Sequence, residues 1–256
     1  MRKTPAVFAL IAAALVLPAA PAQAAFMAPD TACSASMGAV EVPGKLVVPA
    51  GATCTLTGTV IRAGVEVGIG STLNATGISV AAGLHASQAA SVSVSGNSAI
   101  QGHAKMLKGG TASIANSTAF GGLEIAENTG AVTVTGVGSA NADIFIRKNR
   151  GGVTVNTAQA NGNFLVLENS GGLTTVHNST ALDGFKVENN SGGASVQYNV
   201  AWDNLEVNKN LGGTQIIGNR SDDNITCIDN APAPTGHSNV AGADGNGAMS
   251  GQCLGL

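Results

Sequence analysis

Three aspartates recur at regular intervals and are the best candidates for chemistry in the chain: Asp183, Asp203 and Asp223. Each stands two residues before the start of a predicted strand. In coils stacked in register the carboxylates would lie one coil apart and repel each other, which raises their pKa values or attracts a cation. Such an oxygen-rich cluster suits Ca²⁺, and Ca²⁺ is the only cofactor that the sequence suggests. We favour a structural interpretation, in which these residues shape turns and cap strand ends.

The aromatic content argues against a sugar-processing cleft. Aromatic residues make up 3% of the chain, with a single Trp and a single Tyr. Sugar-binding clefts usually display several aromatic platforms, because ring faces supply both contact area and orientation. We therefore expect Trp202 and Tyr198 to cover a groove between coils rather than to stack on a ligand.

A regular repeat must position the aspartates. The repeat units span 123–143, 144–163, 164–184, 185–204 and 205–224, with a degenerate copy at 225–242. Units of this length are typical of a solenoid. Apolar residues at the first and third positions of each unit follow the period-two pattern of a strand with one buried face. Because we find no convincing helical segment, the coils must stack directly, and the sequence predicts an all-β, parallel β-helix.

The sixth position of every unit is asparagine: Asn128, Asn149, Asn169, Asn190, Asn210 and Asn230. Asn stacked on Asn can pass amide hydrogen bonds from coil to coil. Asn also tolerates the left-handed backbone of a sharp corner, and the Gly that follows suits the same corner. We predict a structural Asn ladder here, and a second Asn column at Asn116, Asn178, Asn199, Asn219 and Asn239.

The fifth position carries a column of mostly charged residues: Glu127, Lys148, Glu168, Asn189, Lys209 and Asp229. One interpretation is a charged groove for a glycan. The other is charge pairing between neighbouring coils on a solvated face. We favour pairing, because alternating signs cancel the field that a ligand would feel.

These features resemble the right-handed parallel β-helix proteins of the pectate-lyase-like superfamily over roughly residues 45–240. The tail "NITCIDNAPAPTGHSNVAGADGNGAMSGQC" is similar to the ending of an uncharacterised family of secreted bacterial repeat proteins. The first resemblance implies acids that bind calcium or serve as catalytic acid and base, with an Arg or Lys base in the lyases. In this chain those roles would fall to Asp183, Asp203, Asp223 and Lys186. The right-handed sense is also what the crossover rule favours.

The ends of the chain carry signals of export and capping. Residues 1–24 have the positive start, apolar core and small-residue cleavage pattern of a secretory signal peptide. Two cysteines lie near each end, and in an exported protein we expect the pairs Cys33–Cys54 and Cys227–Cys253, with other pairings left open. The predicted divisions after the signal peptide are a cap at 25–56, a β-helix at 57–242 and a disulfide-tied tail at 243–256.

Charge and coil length bound the function. Without the signal peptide the chain has 10 Lys and Arg against 15 Asp and Glu, which argues against nucleic acid or anionic membrane as a partner. No other apolar run approaches the length of a membrane span. Uniform coils leave no room for loops that wall a cleft.

We expect a secreted, non-catalytic protein with a structural, cell-surface or glycan-binding role, and polysaccharide or cell-envelope components as partners. The alternative is a calcium-dependent polysaccharide lyase, or another polysaccharide-active enzyme such as a glycoside hydrolase, that uses the Asp column.

Overall fold

The protein is a parallel β-solenoid of about 11 coils. A computed structural model describes residues 28–139 and 142–256, apart from the side chain of Ser139, and the predicted signal peptide lies outside these residues. All regular structure in the described residues is β, which confirms the predicted fold class. The right-handed sense remains a prediction.

Each coil contributes up to three strands, which stack into three columns that we call faces A, B and C. Face A contains Thr31–Ala32, Leu46–Val48, Val65–Val67, Leu84–Ser87, Ala104–Leu107, Leu123–Ala126, Ile144–Arg147, Phe164–Leu167, Phe185–Glu188, Leu205–Asn208, Ile225–Cys227 and Met249–Gly251. Face B contains Ser36–Met37, Thr53–Thr57, Thr72–Thr76, Ser91–Ser95, Thr111–Ala119, Val132–Ser139, Val153–Asn156, Thr174–His177, Ala194–Gln197, Thr214–Ile217 and Thr235–His237. Face C contains Glu41–Val42, Val60–Ile61, Ser79–Val80, Ala99–Ile100, Gln159–Ala160, Thr180–Ala181, Val200–Ala201 and Arg220–Ser221.

Faces B and C belong to one 19-stranded sheet, whereas face A is a separate 12-stranded sheet. The long strands Thr111–Ala119 and Val132–Ser139 each run through both face B and face C. Because the strands are parallel and in register, equivalent residues lie about 4.8 Å apart in columns along the solenoid axis.

The coils contain roughly 20 residues each, and the strand register shows that their lengths vary slightly along the solenoid. Near the N-terminus Leu46 pairs with Val65, whereas in the middle of the chain Phe164 pairs with Phe185. The N-terminal coils are therefore slightly shorter than the repeat that the sequence makes obvious. Parallel pairing also reaches into both predicted caps, since Thr31–Ala32 pairs with the strand that starts at Leu46, and Met249–Gly251 pairs with Ile225–Cys227.

The core follows the first and third positions of the face A strands, as the alternation predicts. Phe164, Val166, Phe185 and Val187 point inward and are at most 1% exposed. The rings of Phe164 and Phe185 stack one coil apart, with centroids 4.7 Å apart and planes 4° from parallel. Burying each such ring contributes about 1.5–3 kcal/mol to stability.

The Asn ladder is confirmed. Asn169 is fully buried, and its Oδ1 accepts hydrogen bonds from the backbone N–H and the Nδ2 of Asn149, both at 3.0 Å. Its own Nδ2 donates to the Ile146 carbonyl at 3.2 Å and to Asn190 Oδ1 at 3.0 Å. The expected left-handed conformation belongs instead to the residue before each rung, such as Glu168 with φ 57°. The ladder therefore works through buried amide hydrogen bonds, and its neighbour makes the corner.

The predicted second Asn column is correct for Asn199, Asn219 and Asn239, but Asn178 and Asn116 lie one position too early. Asn199, Asn219 and Asn239 form a buried ladder of the same kind. Ser179 is its next rung towards the N-terminus, because its backbone N–H donates to Asn199 Oδ1. Its side chain has no amide group, and Oγ accepts from the Ala158 N–H at 3.2 Å. Asn178 is exposed and sits one position earlier, with φ 49°. Asn116 likewise has φ 44° at that earlier position, where a left-handed residue makes the corner between faces B and C.

Both disulfides form as predicted, Cys33–Cys54 and Cys227–Cys253, and leave no free cysteine among the described residues. They lie near the two ends of the solenoid and indicate a non-reducing environment. Across the part of the chain that the structure describes, we find no helix with the length and hydropathy of a membrane span.

Candidate functional site

The structure brings together two of the three predicted aspartates. The carboxyl groups of Asp203 and Asp223 lie within hydrogen-bonding reach on neighbouring coils, and this contact, together with charge repulsion, raises the pKa of Asp223 above its ordinary value. Asp244 and Asp222 add to the repulsion. Asp183 lies one coil further along the column and lines a separate surface depression. The column therefore contains one interacting carboxyl pair.

The predicted calcium site requires more ligands than the Asp203–Asp223 pair provides. Within residues 28–139 and 142–256, no three His, Cys, Asp or Glu side chains converge in the way that a metal ion requires. Calcium prefers six to eight oxygen ligands, of which the Asp203–Asp223 pair would supply a part. Calcium binding at Asp183, Asp203 and Asp223 stays a prediction.

Lys186, the predicted base, points outward from face A. Its Nζ lies 2.9 Å from Glu206 Oε2 and 4.0 Å from Glu188 Oε2. Ion pairs with these two carboxylates occupy the side chain of Lys186. The surroundings of Lys186 thus favour charge pairing over proton abstraction.

The turn from face C into face A carries a groove that runs along the solenoid axis, which we call the edge groove. It consists of two depressions of about 490 and 550 Å³ that share His103 and Lys105. Its lower part runs over Gly64, Gly83 and Gly102, and its upper part is lined by Gly121, Glu124, Asp143, Phe145 and Asp183.

Glycine at this turn lets the coils approach closely. An added Cβ at Gly102 would lie 2.9 Å from the backbone nitrogen of Gly83, and one at Gly121 would lie 2.7 Å from the carbonyl carbon of Gly102. These distances are too short for a side chain. The turn therefore carries no side chain at these positions, and the outward-pointing residues of face A form the wall of the groove beside it. The Gly and Ala residues that recur ahead of most face A strands, such as Ala82–Gly83 and Gly121–Gly122, are a signal of this turn that the sequence-based predictions did not include.

Glu124, which lines the edge groove, is paired with two cations. Glu124 Oε1 lies 2.7 Å from an Arg147 guanidinium nitrogen, and Glu124 Oε2 lies 3.6 Å from Lys105 Nζ. The hydrogen bond from Arg147, with smaller contributions from the charges of both cations, holds the pKa of Glu124 below its ordinary value. A carboxylate held in this way stays ionised at neutral pH and cannot serve as a general acid.

The fifth-position column lies at the corner between faces A and B, in the left-handed conformation. Lys148 Nζ lies 3.7 Å from Glu168 Oε2, as the charge-pairing interpretation predicts. Lys209 instead contacts Glu188, a residue of the preceding coil on face A, at 3.3 Å. A depression of about 580 Å³ follows this corner. Because its lining is a row of solvated charges without an aromatic or aliphatic anchor, it is a weaker ligand site than the edge groove.

The two aromatic side chains that we expected to cover a groove between coils are largely open to solvent. The Tyr198 ring lies over Gly218 of the next coil, in keeping with that expectation, yet Tyr198 is 56% exposed and Trp202 is 58% exposed. Both flank the same face C strand, Val200–Ala201. Their outward direction follows from period-two alternation along that strand, because Asn199 and Ala201 are buried. Both rings can therefore still contact a ligand.

Comparisons with protein-family models, with curated proteins and with solved structures find no match to this chain. The site must therefore be interpreted from its own geometry.

Proposed function

We propose that the protein is an exported, non-catalytic β-solenoid that binds polysaccharide along the edge groove. The observation that carries this proposal is the shape of the groove, which is open, shallow and parallel to the axis over several coils. An extended polymer fits such a surface, whereas a small molecule gains little from it, because pockets for small ligands enclose most of the ligand. Export is supported by the two disulfides and by the signal peptide predicted from the sequence.

The groove offers the mixture of groups that sugar polymers use. Phe145 supplies an apolar ring face, and Lys105, Glu124, His103 and Asp143 supply hydrogen-bonding groups in the same depression. Sugars present both hydroxyl groups and C–H faces, so paired charges and one ring can bind them without a strong net field.

Two observations support a non-catalytic role. Glu124 is held ionised by Arg147, and the ammonium group of Lys186 is held by Glu206. Glycoside hydrolysis needs a protonated carboxyl as general acid, and β-elimination by a lyase needs an unprotonated base. Ionised Glu124 cannot be the general acid, and an ion pair with Glu206 occupies the side chain of Lys186.

The experiment is a binding assay with a panel of neutral and acidic polysaccharides, with and without calcium, combined with analysis of the soluble products. We expect retention on at least one polysaccharide, no released oligosaccharide, and weaker retention for Phe145→Ala and Lys105→Ala. Thr154→Ala on the outer side of face B is the matched control and should bind like the unmodified protein. Equal binding by the groove variants and the control would refute the site.

A calcium-dependent polysaccharide lyase is the second candidate, and the Asp203–Asp223 contact is the observation that favours it. The hydrogen-bonding contact with Asp203, together with charge repulsion, raises the pKa of Asp223, and a cation would relieve the repulsion. In the same assay this candidate requires calcium-dependent release of unsaturated oligosaccharides that disappears in Asp203→Ala. That outcome would overturn the non-catalytic proposal.

A further inference from the structure

Face C carries an aromatic pair that lies apart from the residues lining the edge groove. Tyr198, Val200 and Trp202 alternate along the chain with Asn199 and Ala201, which are each 1% exposed and point inward. Tyr198 and Trp202 therefore project from the same side, with more than half of each side chain exposed. At about 3.3 Å per extended residue, their Cα atoms are separated by up to roughly 13 Å, which is more than one sugar ring.

The backbone fixes the position of both aromatic residues. The Tyr198 N–H donates to the Ile217 carbonyl at 2.9 Å, and the Trp202 N–H donates to the Ala181 carbonyl at 3.1 Å. Each residue is thus anchored to an adjacent coil. A rigid aromatic side chain loses little conformational entropy when it binds a ligand, because only two torsions have to be fixed.

Tyr198 occupies the corner between faces B and C, and its ring lies against the next coil. It has φ 55°, the left-handed conformation that Asn178 and Gly218 also adopt at this corner on the neighbouring coils. The equivalent residue of the next coil is Gly218, where an added Cβ would lie 2.6 Å from two ring carbons of Tyr198. The ring therefore lies over the place that a side chain at Gly218 would fill.

The groups around the aromatic pair include one ion pair and two further carboxyl groups, since Asp203 follows Trp202 in the chain and Asp223 lies on the next coil. On the following coil, an Arg220 guanidinium nitrogen lies 2.9 Å from Asp222 Oδ1, so the two charges cancel. On the preceding coil, face C presents Thr180. Aromatic ring faces beside a hydroxyl and a closed ion pair match a neutral pyranose chain, whose C–H faces stack on rings while its hydroxyls bond to the rim. An anionic polymer would find no unpaired cation among these residues.

From this arrangement we infer that the face C surface around Tyr198 and Trp202 binds a chain of neutral hexopyranose units by stacking. This second site goes beyond the proposed function, because its residues differ from those of the edge groove and either site can fail alone.

Trp202 makes a direct test possible, since it is the only tryptophan in the chain. Its fluorescence can be followed while soluble cello-oligosaccharides and chito-oligosaccharides are added to the full-length protein, with oligogalacturonate as the acidic comparison. We expect a saturable change in emission with a neutral oligosaccharide and none with the acidic one. The two neutral probes distinguish a glucan from an N-acetylated glycan.

Variants separate stacking from other effects. Tyr198→Ala should weaken binding about tenfold, which corresponds to the loss of about 1.4 kcal/mol from one stacked ring. In pull-down with insoluble polysaccharide, Trp202→Phe should bind like the unmodified protein and Trp202→Ala should bind more weakly, with the edge groove retaining the remainder. The matched controls are Leu173→Ala, which removes a 53% exposed apolar side chain from the face B side, and Phe145→Ala in the edge groove. Both controls should leave the fluorescence titration unchanged.

Several results would overturn this inference. One is an unchanged Trp202 emission with every neutral oligosaccharide, and another is an equal loss of affinity in Leu173→Ala and Tyr198→Ala. Self-association that depends on Trp202, measured by sedimentation, would identify a second copy of the chain as the occupant instead. Polysaccharide binding that is lost in Phe145→Ala while Trp202 emission never responds would support the edge groove alone and reject the face C site.

Discussion

Replacing Asn169 with Ala removes four hydrogen bonds from the middle of the Asn ladder: two accepted by its Oδ1 and two donated by its Nδ2. The backbone N–H of Asn149 is then left buried without its acceptor, which costs about 2 kcal/mol, and the loss of the two donated bonds costs about 0.5–1 kcal/mol each. We therefore expect the free energy of unfolding to fall by about 3–4 kcal/mol.

Two measurements check this expectation. Guanidinium denaturation gives the loss of stability, and hydrogen exchange at the Asn149 amide shows whether protection is lost where the acceptor is removed. Asn74→Ala is the matched control, because Asn74 is an exposed strand residue on the outside of face B, where such changes alter stability by less than about 0.5 kcal/mol.

Asn169→Asp tests the donor function separately from side-chain shape. The carboxylate keeps an acceptor for Asn149 but cannot donate, and burial raises its pKa above the value in the unfolded chain. The folded state then binds the proton more tightly, so the variant should be most stable at acidic pH and lose stability as pH rises. If Asn169→Ala is as stable as Asn74→Ala, or if the Asn149 amide stays protected, the ladder is not the source of stability that we describe.

Three further predictions concern the core, the C-terminal end and the carboxyl pair. Phe164→Ala should reduce stability by about 3–5 kcal/mol in guanidinium denaturation, because it leaves a cavity beside its stacked partner ring; a loss below about 1 kcal/mol would show that the core collapses around it. Cys253→Ser should reduce stability by about 3 kcal/mol, with hydrogen exchange rising first in the last strand of face A; uniform exchange would contradict local loosening. Asp203 raises the pKa of Asp223 above its ordinary 3.8, so this pair stabilises the fold below that value and the contribution is lost as pH rises through the folded pKa. Asp223→Asn should therefore flatten the dependence of melting temperature on pH over the mildly acidic range, and an unchanged profile would show that the carboxyls do not interact.

The parts of the structure that follow directly from the repeat were predictable. Once the coils stack in register, the alternation in Phe164–Leu167 and Phe185–Glu188 decides which side chains enter the core. The same register brings Asn169 against Asn149 and Asn190 without any further information. Period alone determines these contacts, because every coil repeats them.

The corners were not predictable from the period. Asn178 and Ser179 both suit a turn, and only the exact strand pairing shows that Ser179 points inward while Asn178 takes the left-handed conformation. The depth of the edge groove depends on how closely the turns from face C into face A pack against each other. Glycine permits this close packing, but its presence in the sequence does not specify it. Such features arise where the repeat varies, so averaging over the units hides them.

The hydrogen bonds between the rungs of the Asn ladder all run in the same direction from coil to coil. The chain can therefore be lengthened or shortened only by complete coils. Each rung accepts from the backbone of the coil before it, and at the C-terminal end Gln252 Oε1 takes the place of a seventh Asn by accepting from the Asn230 N–H at 2.8 Å. An insertion or deletion of one complete coil, cut at equivalent positions, keeps every rung connected to the next and leaves the terminal Gln252 in place. A partial coil would break the register of all faces at once. Evolution can therefore lengthen or shorten this chain internally by duplication or loss of whole units, while its two disulfide-tied ends remain unchanged.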